Sequence, residues 1–138
     1  MKTIIITGQT ATGKTKLALE YAKKYNGELI NCDSRQVYKY LDIITGKDLG
    51  QHLKPTFKIQ KKINEFTIGF YPLIINSSTF SSLSTKLWLY DIVDPKQPFS
   101  SFDWKQCVQI VMAYLKKQAK KPIIVGGTYL YIKHLLYG

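Results

Sequence analysis

A glycine turn near the N-terminus carries the residues best suited to chemistry. It follows a β-branched run, Thr3 to Thr7, and precedes a helical apolar pattern, so it lies at a strand-to-helix turn. Inward-pointing backbone N–H groups, a lysine and a helix N-terminus together bind phosphate. The sequence therefore predicts a polyphosphate-binding P-loop made of Gly8, Gln9, Thr10, Ala11, Thr12, Gly13, Lys14 and Thr15.

The last residue of this turn has a second expected role. The hydroxyl of Thr15 would ligate a Mg²⁺ ion that bridges phosphate oxygens. The alternative is a plain glycine turn with a surface lysine, which the strand before it and the helix after it disfavour.

A polar tetrapeptide follows the next predicted strand, Glu28 to Cys32. Ligands of open parallel sheets collect at the carboxyl ends of strands, so this tetrapeptide should face the same crevice as the glycine turn. Its residues are Asp33, Ser34, Arg35 and Gln36. The alternative, that Asp33 or Ser34 only caps the next helical turn, is equally open at this point.

The remaining pattern predicts an α/β fold, P-loop NTPase-like, with a mostly parallel central sheet of about four core strands, helices on both faces and a small inserted hairpin. A single domain is expected over residues 1–138, with the insertion at about 49–86. The predicted elements are a hairpin around Asn64-Glu65, a loop at Ser77 to Ser82, a strand at Leu87 to Val93, a helix capped by Ser100 or Ser101, a strand at Ile123 to Val125, a turn at Gly126-Gly127-Thr128 and a helix from about Tyr129 to Tyr137.

Composition limits the class of protein. The formal charge of +11 suggests an anionic partner, but a nucleic acid and a diphosphate both qualify, and only Arg35 among the 20 basic residues is arginine. Two cysteines, Cys32 and Cys107, are too few for a disulfide framework and fit a reducing cytoplasmic compartment. The sequence has no apolar run of membrane-spanning length.

Four segments, in this order, resemble the tRNA dimethylallyltransferases, also called isopentenyl-tRNA transferases. The resemblance covers the N-terminal half of that family, whose members continue beyond the point reached here. The second and fourth segments are more specific than a P-loop alone. The segments are Gly8 to Thr15, Asn31-Cys32-Asp33-Ser34-Arg35-Gln36-Val37-Tyr38-Lys39, Tyr90-Asp91-Ile92-Val93-Asp94-Pro95, and Val125-Gly126-Gly127-Thr128-Tyr129-Leu130-Tyr131-Ile132-Lys133.

The resemblance implies transfer of a dimethylallyl group from dimethylallyl diphosphate to the N6 amine of the adenosine adjacent to the tRNA anticodon. Asp33 would be the general base, and Lys14 and Thr15, with Mg²⁺, would hold the diphosphate. Asp33 and its neighbours Ser34, Arg35 and Gln36, together with Thr128, would contact the tRNA acceptor. The implied protein is a cytoplasmic monomer whose partners are tRNA and dimethylallyl diphosphate, with no membrane association.

Other functions stay open at the level of the residues. A small nucleoside or shikimate-type kinase would share the P-loop and the basic charge. A catalytically incomplete module that binds tRNA or diphosphate without turnover is a second alternative, and free adenine nucleotide as the acceptor is a third. Tyr38, Tyr90 and Tyr129 could stack on a base, although core or rim packing is the favoured interpretation.

Overall fold

The computed structural model of the chain describes residues 2–7, 14–35, 37–38, 58–63, 66–75, 83–90 and 92–137. Within these ranges one sheet is flanked by helices. The strands are β1 (Ile4–Ile6), β2 (Gly27–Asn31), β3 (Lys58–Ile63), β4 (Phe66–Ile75), β5 (Leu83–Trp88) and β6 (Lys121–Val125), and the helices are α1 (Lys14–Tyr25), α2 (Ser101–Lys117) and α3 (Tyr129–Tyr137).

The sheet has six strands in the order β1-β6-β2-β5-β4-β3. The first four strands run parallel, whereas β4 is antiparallel to β5 and β3 is antiparallel to β4. The predicted mostly parallel core of four strands is therefore confirmed. Ile6 and Asn31 both pair with Val125 of β6, so β1, β6 and β2 end level with one another.

The predicted hairpin is also confirmed, but it lies in the central sheet and not beside it. Its strands β3 and β4 pair around residues 64–65, and β4 continues along β5. The predicted loop at Ser77 to Ser82 lies outside the described residues.

The strand predicted at Leu87 to Val93 is present, but both of its predicted bounds are wrong. The observed strand β5 starts earlier because it pairs with β4, and it ends at Trp88 because Leu89 adopts a left-handed backbone with φ of 64°. Val93 is left as an isolated parallel bridge to Tyr38. The chain therefore turns at the carboxyl edge of the sheet, beside the end of β2.

Helices cover both faces of the sheet, as expected. Side chains alternate along a strand, so neighbours in β2 and β6 face opposite ways. Leu29 and Ile123 join the core cluster under α1, whereas Ile30 and Ile124 join the cluster under α2. Burial on both faces fixes the register of the parallel strands, because a shift by one residue would exchange the two sets.

The ends of the helices are set by local hydrogen bonds. Asn26 ends α1 with a left-handed backbone, φ 54°, which asparagine tolerates. Ser100 caps α2 in a reciprocal arrangement, in which the Asp103 N–H donates to Ser100 Oγ (3.2 Å) and the Ser100 N–H donates to Asp103 Oδ2 (2.8 Å). The predicted start of this helix is confirmed. No helix in the described part of the chain is long and apolar enough to cross a membrane.

Replacing Ser100 by alanine should lower the free energy of unfolding by about 1 kcal/mol, because the Asp103 N–H loses its acceptor at the helix N-terminus. Urea unfolding followed by circular dichroism measures the change. Ser100→Thr keeps the hydroxyl and is the control. Equal stability of Ser100→Ala and wild type would contradict the assignment of this cap.

Candidate functional site

The candidate site lies where β1, β2 and β6 end. Two hydrogen bonds continue the sheet past these ends: the Cys32 N–H donates to the Val125 carbonyl (2.7 Å), and the Gly126 N–H donates to the Ile6 carbonyl (3.1 Å). The ends of the three strands therefore lie side by side. In the sequence, these ends are followed by the predicted glycine turn, the Asp33 tetrapeptide and Gly-Gly-Thr.

Thr128 joins the loop after β6 to the loop after β2. Its N–H donates to the Cys32 carbonyl (3.1 Å), and its hydroxyl accepts from the Ser34 N–H (2.9 Å) and donates to Ser34 Oγ (3.3 Å). We call this set of three hydrogen bonds the Thr128 clasp. It brings together two of the residues expected to contact an acceptor.

The approach of the two loops depends on a glycine. A Cβ atom at position 126 would lie 2.2 Å from the Cys32 carbonyl oxygen and 2.3 Å from its carbon, at a φ of 156°. Any side chain at this position would push the loop after β6 away from Cys32. Gly126 is thus required for the Thr128 clasp.

Asp33 lies one residue past Cys32 and is half-buried. Its Oδ1 accepts from the Arg35 N–H (2.8 Å), and its own N–H donates to Asn31 Oδ1 (3.2 Å). The side chain of Asp33 therefore forms an Asx-turn, while the side chain of Arg35 is exposed. The carboxylate thus stabilises a local turn, and this turn lies at the carboxyl edge of the sheet.

Lys14 opens α1 and is half-buried on the same side of the sheet. Its charge and that of Asp33 both act on one buried group, the Cys32 thiol. The pKa of Cys32 is raised from 9.0 to about 12, chiefly by burial and also by the charge of Asp33, whereas the hydrogen bond with the Thr128 backbone and the charge of Lys14 lower it. The lysine of the predicted anion site and the carboxylate of the predicted base thus act on the same thiol in opposite directions.

Several predicted site residues lie outside the described residues: Gly8, Gln9, Thr10, Ala11, Thr12, Gly13 and Gln36. Thr15 belongs to the first turn of α1, but its side chain also lies outside the described part. Within the described ranges there is no cluster of three His, Cys, Asp or Glu side chains that could hold a metal ion.

Of the three tyrosines considered for base stacking, Tyr90 is buried and Tyr38 packs against the core, whereas Tyr129 is 73% exposed at the start of α3. A further residue, Asn31, was not among the predicted site residues, but its side chain contacts the backbone of Asp33. The available signal was an amide side chain within the otherwise apolar run Leu29 to Cys32.

The sequence of this chain is similar to those of known transferases. The family model described as IPP transferase matches residues 79–138. A tRNA dimethylallyltransferase of Endomicrobium trichonymphae is 37% identical over the whole chain, which spans 38% of that protein. A relative from Thermoanaerobacter sp. carries the same name and is 34% identical over 97% of this chain, which spans 33% of it.

Solved structures show the same likeness. A tRNA delta(2)-isopentenylpyrophosphate transferase from Staphylococcus epidermidis covers 99% of this chain with a TM-score of 0.68 and 31% identity. A eukaryotic dimethylallyltransferase acting on tRNA covers 95% of it with a TM-score of 0.63 and 26% identity. This chain spans 35% and 25% of those two chains, respectively.

In sequence and in structure the chain is similar to the tRNA dimethylallyltransferase family. It corresponds to the N-terminal part of that family and spans about a third of the length of the curated relatives named here. The expected P-loop NTPase-like α/β fold is confirmed by the structural likeness. The comparisons favour this family over a small P-loop kinase.

Replacing Gly126 by alanine should disrupt the Thr128 clasp, because the added Cβ would overlap the Cys32 carbonyl. We expect a loss of about 2 kcal/mol or more in the free energy of unfolding, measured by urea denaturation. The neighbouring exposed Gly127 is the control, and Gly127→Ala should cost far less. Equal losses in the two variants would refute the close crossing of the two loops.

Two thiols should make stability depend on alkaline pH. Burial raises the pKa of both Cys32 and Cys107 from 9.0 to about 12. A raised folded-state pKa means that the stabilising contribution is complete below pH 9 and is lost as the pH rises from 9 towards 12. Urea unfolding between pH 8 and 10.5 should show a steeper decline for wild type than for the double variant Cys32→Ala, Cys107→Ala. Parallel declines would contradict the burial of the thiols.

Proposed function

We propose that this chain carries the part of a tRNA dimethylallyltransferase that holds the allylic diphosphate and activates the acceptor amine. In the proposed reaction, the bond between the allylic carbon and the diphosphate oxygen breaks, and a bond forms between that carbon and N6 of the adenosine adjacent to the anticodon. The amine proton passes to a carboxylate and diphosphate leaves. What carries the proposal is the position of Asp33, two residues past the end of β2, at the edge of the sheet where β1, β6 and β2 end level with one another.

The acceptor amine needs a base because its lone pair is delocalised into the adenine ring. We assign this role to Asp33, whose family segment is intact in this sequence. The Asx-turn and the bond from its N–H to Asn31 support the assignment, since a base acts efficiently only when it is held in place.

The leaving diphosphate gains negative charge as the carbon–oxygen bond breaks. Lys14 and the N-terminus of α1 would stabilise that charge, together with the backbone N–H groups of the glycine turn Gly8 to Gly13. We propose that Mg²⁺ binds here through the hydroxyl of Thr15, a residue of the first turn of α1. One protein hydroxyl is compatible with Mg²⁺, because this ion keeps most of its other ligands as phosphate oxygens and water. When bound, the ion would neutralise charge on the diphosphate.

The acceptor adenosine would contact Ser34, Arg35, Gln36 and Thr128. Thr128 and Ser34 are hydrogen-bonded to each other, so they present one continuous polar surface next to Asp33. Bases of a single-stranded loop are the cheapest to unstack, which suits an adenosine in the anticodon loop. The net charge of +11 would favour the approach of tRNA.

The test is a prenyl-transfer assay with this chain, dimethylallyl diphosphate, Mg²⁺ and an anticodon stem-loop, read out by mass spectrometry of the nucleosides. Asp33→Asn keeps an acceptor for the Asx-turn but removes the charge, so the rate should fall at least about 100-fold. Binding of dimethylallyl diphosphate should change less than twofold.

Asp94→Asn is a matched control. Asp94 is exposed and forms the same kind of turn, accepting from the Lys96 N–H at 2.9 Å. It should keep wild-type activity. If Asp33→Asn is as active as Asp94→Asn, Asp33 is not the base. If wild type binds the stem-loop and dimethylallyl diphosphate but modifies no adenosine, the chain is a binding module.

A further inference from the structure

We infer that Asn31 is a positioning residue for Asp33. Its side chain holds Asp33 through hydrogen bonds to the Asp33 N–H and the Asp33 carbonyl. The inference rests on the proposed function, because it assigns Asn31 a part in the work of the proposed base. Asn31 itself does not touch the reacting atoms in this account.

The side chain of Asn31 is buried at the end of β2, with 2% of its surface exposed. Its Oδ1 accepts from the Asp33 N–H at 3.2 Å, and its Nδ2 donates to the Asp33 carbonyl at 3.2 Å. The same Nδ2 also donates to the Leu89 carbonyl at 3.0 Å. One amide group thus satisfies three backbone groups, and two of them belong to Asp33.

Asn31 is itself held by the sheet and by α2. Its backbone pairs with Val125 of β6, and its carbonyl accepts a hydrogen bond from Trp104 Nε1 at 2.8 Å. Trp104 is fully buried and stacks on Tyr131, with 5.0 Å between ring centroids. The asparagine is therefore a rigid support, because shifting it would disturb β2, β6 and α2 together.

The Leu89 carbonyl is the third backbone group that the Asn31 side chain contacts. The Leu89 backbone is left-handed, with φ of 64°, in the turn that ends β5. Leucine rarely adopts this conformation, so the surrounding contacts must hold it there. The backbone pairing of β2 with β5 ends at Ile30 and Trp88. The bond from Asn31 to the Leu89 carbonyl extends the connection between the two strands by one residue, to the start of the Asp33 turn.

The chemistry of the side chain fits this role. An amide offers two donors and an acceptor in one plane, whereas aspartate of the same shape offers no donor and leucine offers neither. Two of the three hydrogen bonds of the Asn31 amide go to the N–H and the carbonyl of the proposed base, and together they fix where the Asp33 Cα–Cβ bond points.

The first test is amide hydrogen exchange of the 138-residue chain by NMR. Asn31→Ala should speed exchange at the Asp33 N–H at least about tenfold, because the acceptor of that N–H is lost. The N–H of Leu29, in the same strand as Asn31, is the internal reference. Thr85→Val is the matched control. It removes a buried side-chain bond to the other end of β2, from Thr85 Oγ1 to the Gly27 carbonyl at 2.8 Å. It should leave Asp33 exchange unchanged relative to Leu29.

The second test is kinetic. In the prenyl-transfer assay, Asn31→Ala should lower kcat about 10- to 100-fold and leave the KM for dimethylallyl diphosphate within twofold, because the base moves and the diphosphate site does not. Thr85→Val should retain kcat. In a double-mutant cycle, Asn31→Ala should lower kcat no further when Asp33 is already asparagine.

The outcomes separate the two proposals. An inactive wild type overturns the proposed function, and the exchange comparison still decides whether Asn31 holds Asp33. Unchanged exchange at Asp33 in Asn31→Ala overturns the inference whatever the activity. A third outcome is an active wild type and a double variant whose kcat falls by the combined effects of Asn31→Ala and Asp33→Asn. In that case Asn31 does not act through Asp33, and the inference is wrong.

Discussion

The crossing of the loop after β6 over the end of β2 is the constraint on which the site depends. Gly126 passes the Cys32 carbonyl closely enough to exclude a Cβ atom, and Thr128 is then within hydrogen-bonding distance of both Cys32 and Ser34. Two loops that would otherwise move separately become one structure. Since both strands are central and parallel, the crossing is anchored by the most buried part of the sheet. Catalytic groups on loops gain precision from such a scaffold.

The polar groups buried in this scaffold follow the same logic. Every buried side-chain nitrogen or oxygen in the described part of the chain has a hydrogen-bond partner. Glu28 accepts from Trp88 Nε1 at 2.7 Å, and Thr85 donates to the Gly27 carbonyl, so both bonds connect the first residues of β2 to β5. Asn31 makes the corresponding connection at the site end. Side-chain hydrogen bonds thus connect β2 to β5 near both ends of β2. These bonds favour one register of the two strands and also stabilise their pairing.

Much of this fold could be predicted from the sequence because its signals are local. Apolar runs such as Ile123 to Val125 mark buried strands, and the Ser100 cap marks the start of α2. The end of β5 could not be predicted, since the left-handed backbone of Leu89 has no local signature and follows from contacts with β2 and β4. The importance of Asn31 was invisible for the same reason. Two of its three backbone partners belong to Asp33, two residues further along the chain, but the third, the Leu89 carbonyl, reaches it only in the folded sheet. Asp33, in contrast, was recognisable from the family segment that contains it.

The way in which Asp33 is held bears on how a base can work at this position. Two of its hydrogen bonds, to Asn31, use its own N–H and carbonyl and are independent of the ionisation state of its carboxyl group. The bond from the Arg35 N–H, in contrast, uses a carboxylate oxygen. A carboxyl group supported in this way can gain a proton and lose it again without releasing its backbone. The N-terminus of α1 is likewise a fixed dipole that needs no movement as charge develops on a leaving group. Both sides of the proposed transfer therefore rely on neutral backbone elements already in place, which is the condition under which electrostatic stabilisation costs little reorganisation.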